Sequence, residues 1–253
     1  MGPRDKHFTS RPEAGQALGT ARVRSPAREA PRHLSRQRHP SGAGAGQINR
    51  IGALILAAGQ AQRFGGAKLM APFRGKPVLA HVVDVVRDAQ AANLIADAWA
   101  VVPGEDSQLR SLVQQSGLIP VPNDNPGLGI SHSLRLGLAA LATSCGGCLG
   151  AAIVLLGDQP LVRLDAVGAL IQGWRDGRGP VLRPRYASTP EVPGHPVLLE
   201  RSTWSLVERI SGDRGLGALL RPGEPGVGVL ELPGGNPDID TAGDLLTLEG
   251  PNP

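Results

Sequence analysis

An unbroken apolar run, Ile51 to Ile55, leads into Leu56-Ala57-Ala58-Gly59-Gln60-Ala61-Gln62-Arg63-Phe64-Gly65-Gly66-Ala67-Lys68 and narrows the possible folds sharply. A short run that is apolar at every position, not at alternate ones, predicts a strand covered on both faces by helices, as in a parallel sheet. A glycine-rich loop at the carboxyl end of such a strand lies where open α/β sheets bind phosphates. Gly59, Gly65 and Gly66 lack a Cβ, so this backbone can turn tightly and aim N–H groups at an anion, while Arg63 and Lys68 supply positive charge. The loop therefore reads as a polyphosphate cradle, with a plain strand-to-helix turn as the alternative. It is not a Walker A loop, because Ala67 separates Gly66 from Lys68 and Leu69 follows. Nor does its glycine spacing fit the dinucleotide fingerprint.

Downstream patterns alternate between helix and strand. Leu79, Val82, Val83 and Val86 share one helical face, a strand is expected at Ala98 to Val102, and a helix at Glu105 to Gln115 ends before Gly117. A short strand at Ile119 to Pro122 precedes the turn-rich segment Asn123 to Leu134, which opens a helix and offers a second anion or ribose site. Ala151 to Leu156 is again wholly apolar and ends in Gly157-Asp158-Gln159-Pro160. A carboxylate there faces the ligand crevice of a doubly wound sheet and can share Mg²⁺ with phosphate oxygens; the competing reading is a cap for a helix starting near Arg163. Strands are expected at Pro180 to Pro184, Pro196 to Leu199 and Val227 to Leu232, and a closing helix runs through Leu248. Thr241 and Asp244 fit a capping box. Asp238 or Asp240 could complete a two-carboxylate magnesium site with Asp158.

Charge is distributed unevenly along the 253 residues. Residues 1–50 hold ten Lys or Arg against three acidic residues, leaving 16 basic and 19 acidic residues in the remainder. The basic character thus belongs to an extension, residues 1–47, whose composition predicts disorder, and the domain at 48–249 is mildly acidic, followed by a short tail at 250–253. A mildly acidic domain argues against nucleic acid as a partner. The chain shows no apolar stretch long enough for a membrane span and no secretory apolar core, so a cytoplasmic protein with no membrane partner is expected. Cys145 and Cys148 form a lone C-x-x-C and are expected to be reduced loop thiols.

These motifs, in this order, resemble the MobA-like nucleotidyltransferases, and most closely the molybdenum cofactor cytidylyltransferase branch, from about Ile51 to Leu248. The resemblance implies a single-domain, Rossmann-like, mostly parallel α/β sheet with helices on both faces, of the nucleotide-diphospho-sugar transferase type. It implies Mg²⁺ as cofactor and transfer of CMP from CTP to the phosphate of molybdopterin or the molybdenum cofactor, with release of pyrophosphate. Arg63, Lys68 and Asp158 would be catalytic. Leu56, Ala57, Ala58, Gly59, Gly65, Gly66, Lys68, Asn123, Gly129, Ser131 and Ser133 would bind the nucleotide, Gln159 and His195 would line the acceptor pocket, and Asp158 with Asp240 would hold the metal. A molybdoenzyme or its chaperone is the implied partner. Ala61 stands where the family usually has Ser, removing one hydroxyl from the loop. Gly194-His195-Pro196-Val197 and Gly212-Asp213-Arg214-Gly215 follow in family order. Close relatives also carry other activities, so a guanylyl or sugar-phosphate transferase and an NAD(P)H-dependent reductase such as nicotine blue oxidoreductase stand as alternatives. A non-catalytic cofactor carrier is a third.

Overall fold

The computed structural model describes residues 50–59, 64–191, 194–212, 216 and 226–250. The basic extension and residues 251–253 lie outside them. Nine strands and five α-helices are present among these residues: β1 (Arg50–Leu56), β2 (Pro72–Phe73), β3 (Lys76–Pro77), α1 (Val78–Ala91), β4 (Asp97–Pro103), α2 (Ser107–Gln115), β5 (Ile119–Asn123), α3 (Ile130–Thr143), β6 (Leu149–Leu156), α4 (Leu164–Arg175), β7 (Val181–Tyr186), β8 (Val197–Glu200), β9 (Val227–Leu232) and α5 (Ala242–Glu249). Seven strands form one sheet in the order β5-β4-β1-β6-β8-β7-β9. All neighbouring pairs are parallel except those that β8 makes with β6 and β7.

The continuous apolar runs have the cause inferred for them. Along β1, Ile51, Ala53 and Ile55 face a core that takes in Val82 and Val86 of α1, Leu109 of α2, Leu170 of α4 and Leu245 of α5. Leu54 and Leu56 face the opposite core, with Leu134, Leu138 and Leu141 of α3 and Trp204. β6 divides the same way, Ile153 and Leu155 to one face and Ala152 and Val154 to the other. Each buried Leu, Ile or Val contributes roughly 1.5–3 kcal/mol by leaving water, so both layers pin the register of the two central strands. Close approach also dictates sequence: a Cβ on Gly137 of α3 would lie 2.4 Å from Leu54 Cδ1.

Pro120 and Pro122 cannot donate ladder hydrogen bonds, and β5 accordingly sits at the sheet edge. The β2–β3 ribbon was not foreseen; its turn uses Arg74 and Gly75, both with positive φ (46° and 85°). A 3₁₀ helix at Arg201–Arg209, also unforeseen, covers one face through Trp204 and Val207. Cys148, just before β6, is disulfide-bonded. This corrects the expectation of reduced thiols, which rested on a lone C-x-x-C without a second pair. No helix among the described residues is long and apolar enough to cross a membrane.

Candidate functional site

Strand order places the site. β4 and β5 lie on one side of β1 and β6 on the other, so successive connections leave β1 in opposite directions and open a crevice beyond the carboxyl ends of β1 and β6. The two ends are drawn together by Gly157 N–H, which donates to Leu56 O at 2.9 Å. A Cβ on Gly157 would meet Ala57 Cβ, Leu56 O and Leu79 Cδ1, each at 3.2 Å, which is why the residue before Asp158 is glycine. Ala57 and Ala58 are buried at the crevice floor, and Ala57 N–H donates to Val101 O at 2.8 Å.

Above this floor the loop returns with Gly65 at φ +74° and enters a 3₁₀ turn, Lys68–Met70. Leu69 is buried in the core and anchors the turn. Lys68 is thereby directed inward: its Nζ lies 2.6 Å from Asp158 Oδ2 and 3.6 Å from Asp240 Oδ1. Two carboxylates from distant segments thus converge on one cationic atom. Among the described residues no group of three or more His, Cys, Asp and Glu is arranged as a metal cage. A pair of hard oxygen donors with the remaining positions open fits Mg²⁺, which keeps several waters and shares substrate phosphates. The helix-cap alternative for Asp158 fails, because α4 has Arg163 at its N-cap and no side-chain cap bond.

A cavity of about 680 Å³ fronts this triangle, bounded by Ala58, Gly59 and Lys68 on one side and by Gly129, Ile130 and Ser133 on another. Gly129 (φ +84°) turns the chain into α3. The buried Asn123 stiffens that corner: its Nδ2 donates to Ser133 Oγ at 3.0 Å and its Oδ1 accepts from Asn125 N–H at 2.9 Å. Ser131 is also buried, and among the described residues its Oγ has no hydrogen-bond partner. A further wall, Pro103, Asp106 and Leu109, was missed from sequence. It follows from β4 pairing beside β1, and Asp106 is at once that wall and the N-cap of α2, accepting from Leu109 N–H at 2.9 Å.

Leu56, Ala57, Ala58, Gly59, Gly66, Lys68, Gly129, Ser133, Asp158 and Asp240 all border the one cavity. Gly65 in the glycine-rich loop, Asn123 at the end of β5 and Ser131 in the first turn of α3 adjoin it without lining it. Arg63 lies outside the described residues, as do Asp213, Arg214 and Gly215.

Gln159 and His195 occupy a separate buried polar cluster. Gln159 Nε2 donates to Asp238 Oδ1 at 2.7 Å, and Gln159 Oε1 accepts from Asn236 Nδ2 at 2.9 Å. The His195 carbonyl accepts from Tyr186 Oη at 2.9 Å and from Asn236 Nδ2 at 3.2 Å. Burial pushes the His195 pKa down to about 4, with the Arg183 guanidinium adding to the effect, so the imidazole is neutral at pH 7. Burial likewise lowers Arg183 to about 10 and, with Asp165 adding, raises Tyr186 to about 12; each keeps its proton near neutrality. Asp238 is shifted upward, first by burial and then by the Asp158 carboxylate. Arg183, Tyr186 and Asn236 were not foreseen, because nothing local in the sequence distinguishes them from ordinary strand and loop residues. Asp240 is held from the other side, its N–H donating at 2.9 Å to Asp244 Oδ2 in the capping box that Thr241 forms.

Solved structures with this architecture include Rv0371c from Mycobacterium tuberculosis H37Rv, 27% identical with a TM-score of 0.66 over 79% of this chain and 97% of that one. A second structure of Rv0371c is a complex with manganese (27% identity, TM-score 0.64, 79% and 97% coverage). Molybdopterin-guanine dinucleotide biosynthesis protein A from Archaeoglobus fulgidus shares the fold at 18% identity, with a TM-score of 0.56 over 78% of this chain and 96% of that one. The bifunctional protein GlmU of Nitrosomonas europaea is 34% identical over 131 residues, 50% of this chain and 26% of that protein, so this chain matches about a quarter of that relative's length. The model of the MobA-like NTP transferase domain matches residues 53–227, from β1 to the start of β9 and across the crevice, and the chain belongs to that family.

Proposed function

We propose that the protein is a metal-dependent nucleotidyltransferase that moves CMP from CTP to the phosphate of molybdopterin or the molybdenum cofactor and releases pyrophosphate. The observation that carries this reading is the convergence of Lys68, Asp158 and Asp240 at the mouth of a nucleotide-sized cavity behind a glycine-rich loop. The manganese complex of Rv0371c supports a divalent metal in this family.

In this mechanism the loop N–H groups and the Lys68 ammonium hold the β and γ phosphates, joined by Arg63. Asn123, Gly129, Ser131 and Ser133 shape the nucleoside end. Asp158 and Asp240 would hold the cation, which would supply Lewis-acid neutralisation of phosphate charge. An oxygen of the acceptor phosphate attacks the α-phosphorus as the bond to pyrophosphate breaks in line, and the ammonium stabilises the charge that accumulates on the departing group. The acceptor oxygen is already ionised, so no side chain need take its proton. The acceptor would be received on the side of the crevice where the cluster of Gln159 and His195 lies, and a molybdoenzyme or its chaperone would take the product.

A guanylyl or sugar-phosphate transferase would use the same triangle, so the decisive assay measures pyrophosphate release from CTP, GTP, ATP and UTP with molybdopterin cofactor as acceptor. Preference for CTP is expected. Preference for another nucleotide would replace the cytidylyl assignment, and NAD(P)H oxidation without pyrophosphate release would replace the transferase.

A further inference from the structure

Asp240 is carried by residues 235–240, which form neither helix nor strand. A carboxylate on such a segment has no ladder of its own to hold it, yet the chain is tied down at three consecutive levels. Ile239 N–H donates to Asp158 O at 3.0 Å, Gln159 Nε2 donates to Asp238 Oδ1, and Asn236 Nδ2 donates to Gln159 Oε1. All three bonds end on the Asp158-Gln159 dipeptide. Gln159 and Asn236 are nearly inaccessible, at 6% and 8% exposure. Asn236 Nδ2 also reaches the His195 carbonyl on the acceptor side.

We infer that Gln159 and Asn236 are positioning residues for the metal site, their paired amides setting Asp240 at its working separation from Asp158. The inference rests on the proposed reading that these two carboxylates share a divalent cation. Two carboxylates chelate only when both oxygens are held at the spacing the cation demands, and Mg²⁺ tolerates little deviation from it. A primary amide is suited to the task because it donates at one end and accepts at the other. Gln159 uses both ends on this segment, its Nε2 on Asp238 and its Oε1 on Asn236. The same amide of Asn236 bonds the acceptor-side loop, so an acceptor that shifts the His195 carbonyl also acts on the support of Asp240. A purely structural clasp would use the same bonds but would leave metal affinity alone.

The experiment measures Mn²⁺ binding by electron paramagnetic resonance in the full chain, alone and with CTP, for Gln159→Met and Asn236→Ala. Each variant is expected to bind Mn²⁺ about tenfold or more weakly, the scale seen when the supports of metal ligands are removed. CTP affinity in the presence of chelator should be unchanged. The double variant should bind little worse than either single, because both break one chain of bonds. Should Gln159→Met fail to fold, Gln159→Asn keeps the amide and its neutrality but is one methylene too short to span Asn236 and Asp238, and the same weakening is expected. Variants that bind Mn²⁺ like the parent and lose only thermal stability would overturn the inference. Pyrophosphate release by the parent tests the nucleotidyltransferase reading separately: a parent that releases it while these variants keep full Mn²⁺ affinity overturns the inference alone. A parent that binds no Mn²⁺ overturns both.

Discussion

Lys68 Nζ and Asp158 Oδ2, 90 residues apart in the chain, lie 2.6 Å from one another across the ends of two neighbouring parallel strands. The lysine side chain is only 12% exposed, so its ammonium is committed to the crevice and not to solvent. Asp240 stands at the other side of the same ammonium. One positive group therefore faces two negative ones, leaving a net charge of about −1 where a phosphate and its cation would enter, and the consequences can be measured.

Replacing Lys68 with Ala removes a preorganised donor from the phosphate side. Turnover with CTP should fall by about 10²–10³-fold, or roughly 3–4 kcal/mol of transition-state stabilisation. Mn²⁺ binding in the absence of nucleotide should tighten, because the cation no longer competes with an ammonium for Asp158 and Asp240. Steady-state kinetics and Mn²⁺ titration check the two halves, and near-parental turnover would remove Lys68 from the mechanism.

Asp158→Asn keeps side-chain size and leaves the backbone carbonyl free to accept from Ile239 N–H, so the local fold should survive. Its turnover should no longer respond to added magnesium. Chelator should abolish turnover of the parent, and restoring Mg²⁺ should restore it. A variant whose magnesium titration matches the parent would place the metal elsewhere.

The buried pair Asn123–Ser133 ties the end of β5 to the first turn of α3. Ser133→Ala leaves the Asn123 amide donor buried without that acceptor, which costs about 1–3 kcal/mol of stability. Urea unfolding should register that loss as a lower midpoint with an unchanged slope. The KM for CTP should rise, because Gly129 and Ile130 sit between the two residues on the cavity wall.

His195 is neutral in the folded protein down to about pH 4, whereas in the unfolded chain it takes up a proton near 6.5. Between those values the unfolded state binds more protons, so this contribution to stability is fully present above pH 6.5 and is lost as pH falls toward 4. Denaturation midpoints measured across that window should decline in the parent. The decline should be shallower in His195→Gln, and identical profiles would show that the imidazole is not desolvated.

Much of this molecule was legible without coordinates because the informative signals are local. Runs that are apolar at every position, Ile51 to Ile55 and Ala151 to Leu156, are what a strand buried on two faces requires, and both became central strands. Spaced apolar residues predicted α1 and α2, whose ends were misplaced by a few residues because caps and first turns carry little periodic signal. The Thr241–Asp244 capping box was readable for the same reason: its partners are three residues apart. The β2–β3 ribbon escaped notice, since two residues per strand are too few to show a period.

Which distant pieces meet is a property of the folded chain alone. Strand order brings the end of β4, with Asp106, beside β1 and inserts antiparallel β8 between β6 and β7, and no local pattern encodes a neighbour. It also turns Gln159 inward, so that both ends of its amide are spent on Asn236 and Asp238. The buried strands, the glycine-rich loop and the acidic turns that make a nucleotide site chemically possible are all encoded in local stretches of chain. The packing of two cores against one sheet decided that Lys68, Asp158 and Asp240 share a single point, because an ion pair spanning 90 residues exists only once the chain between has been folded away.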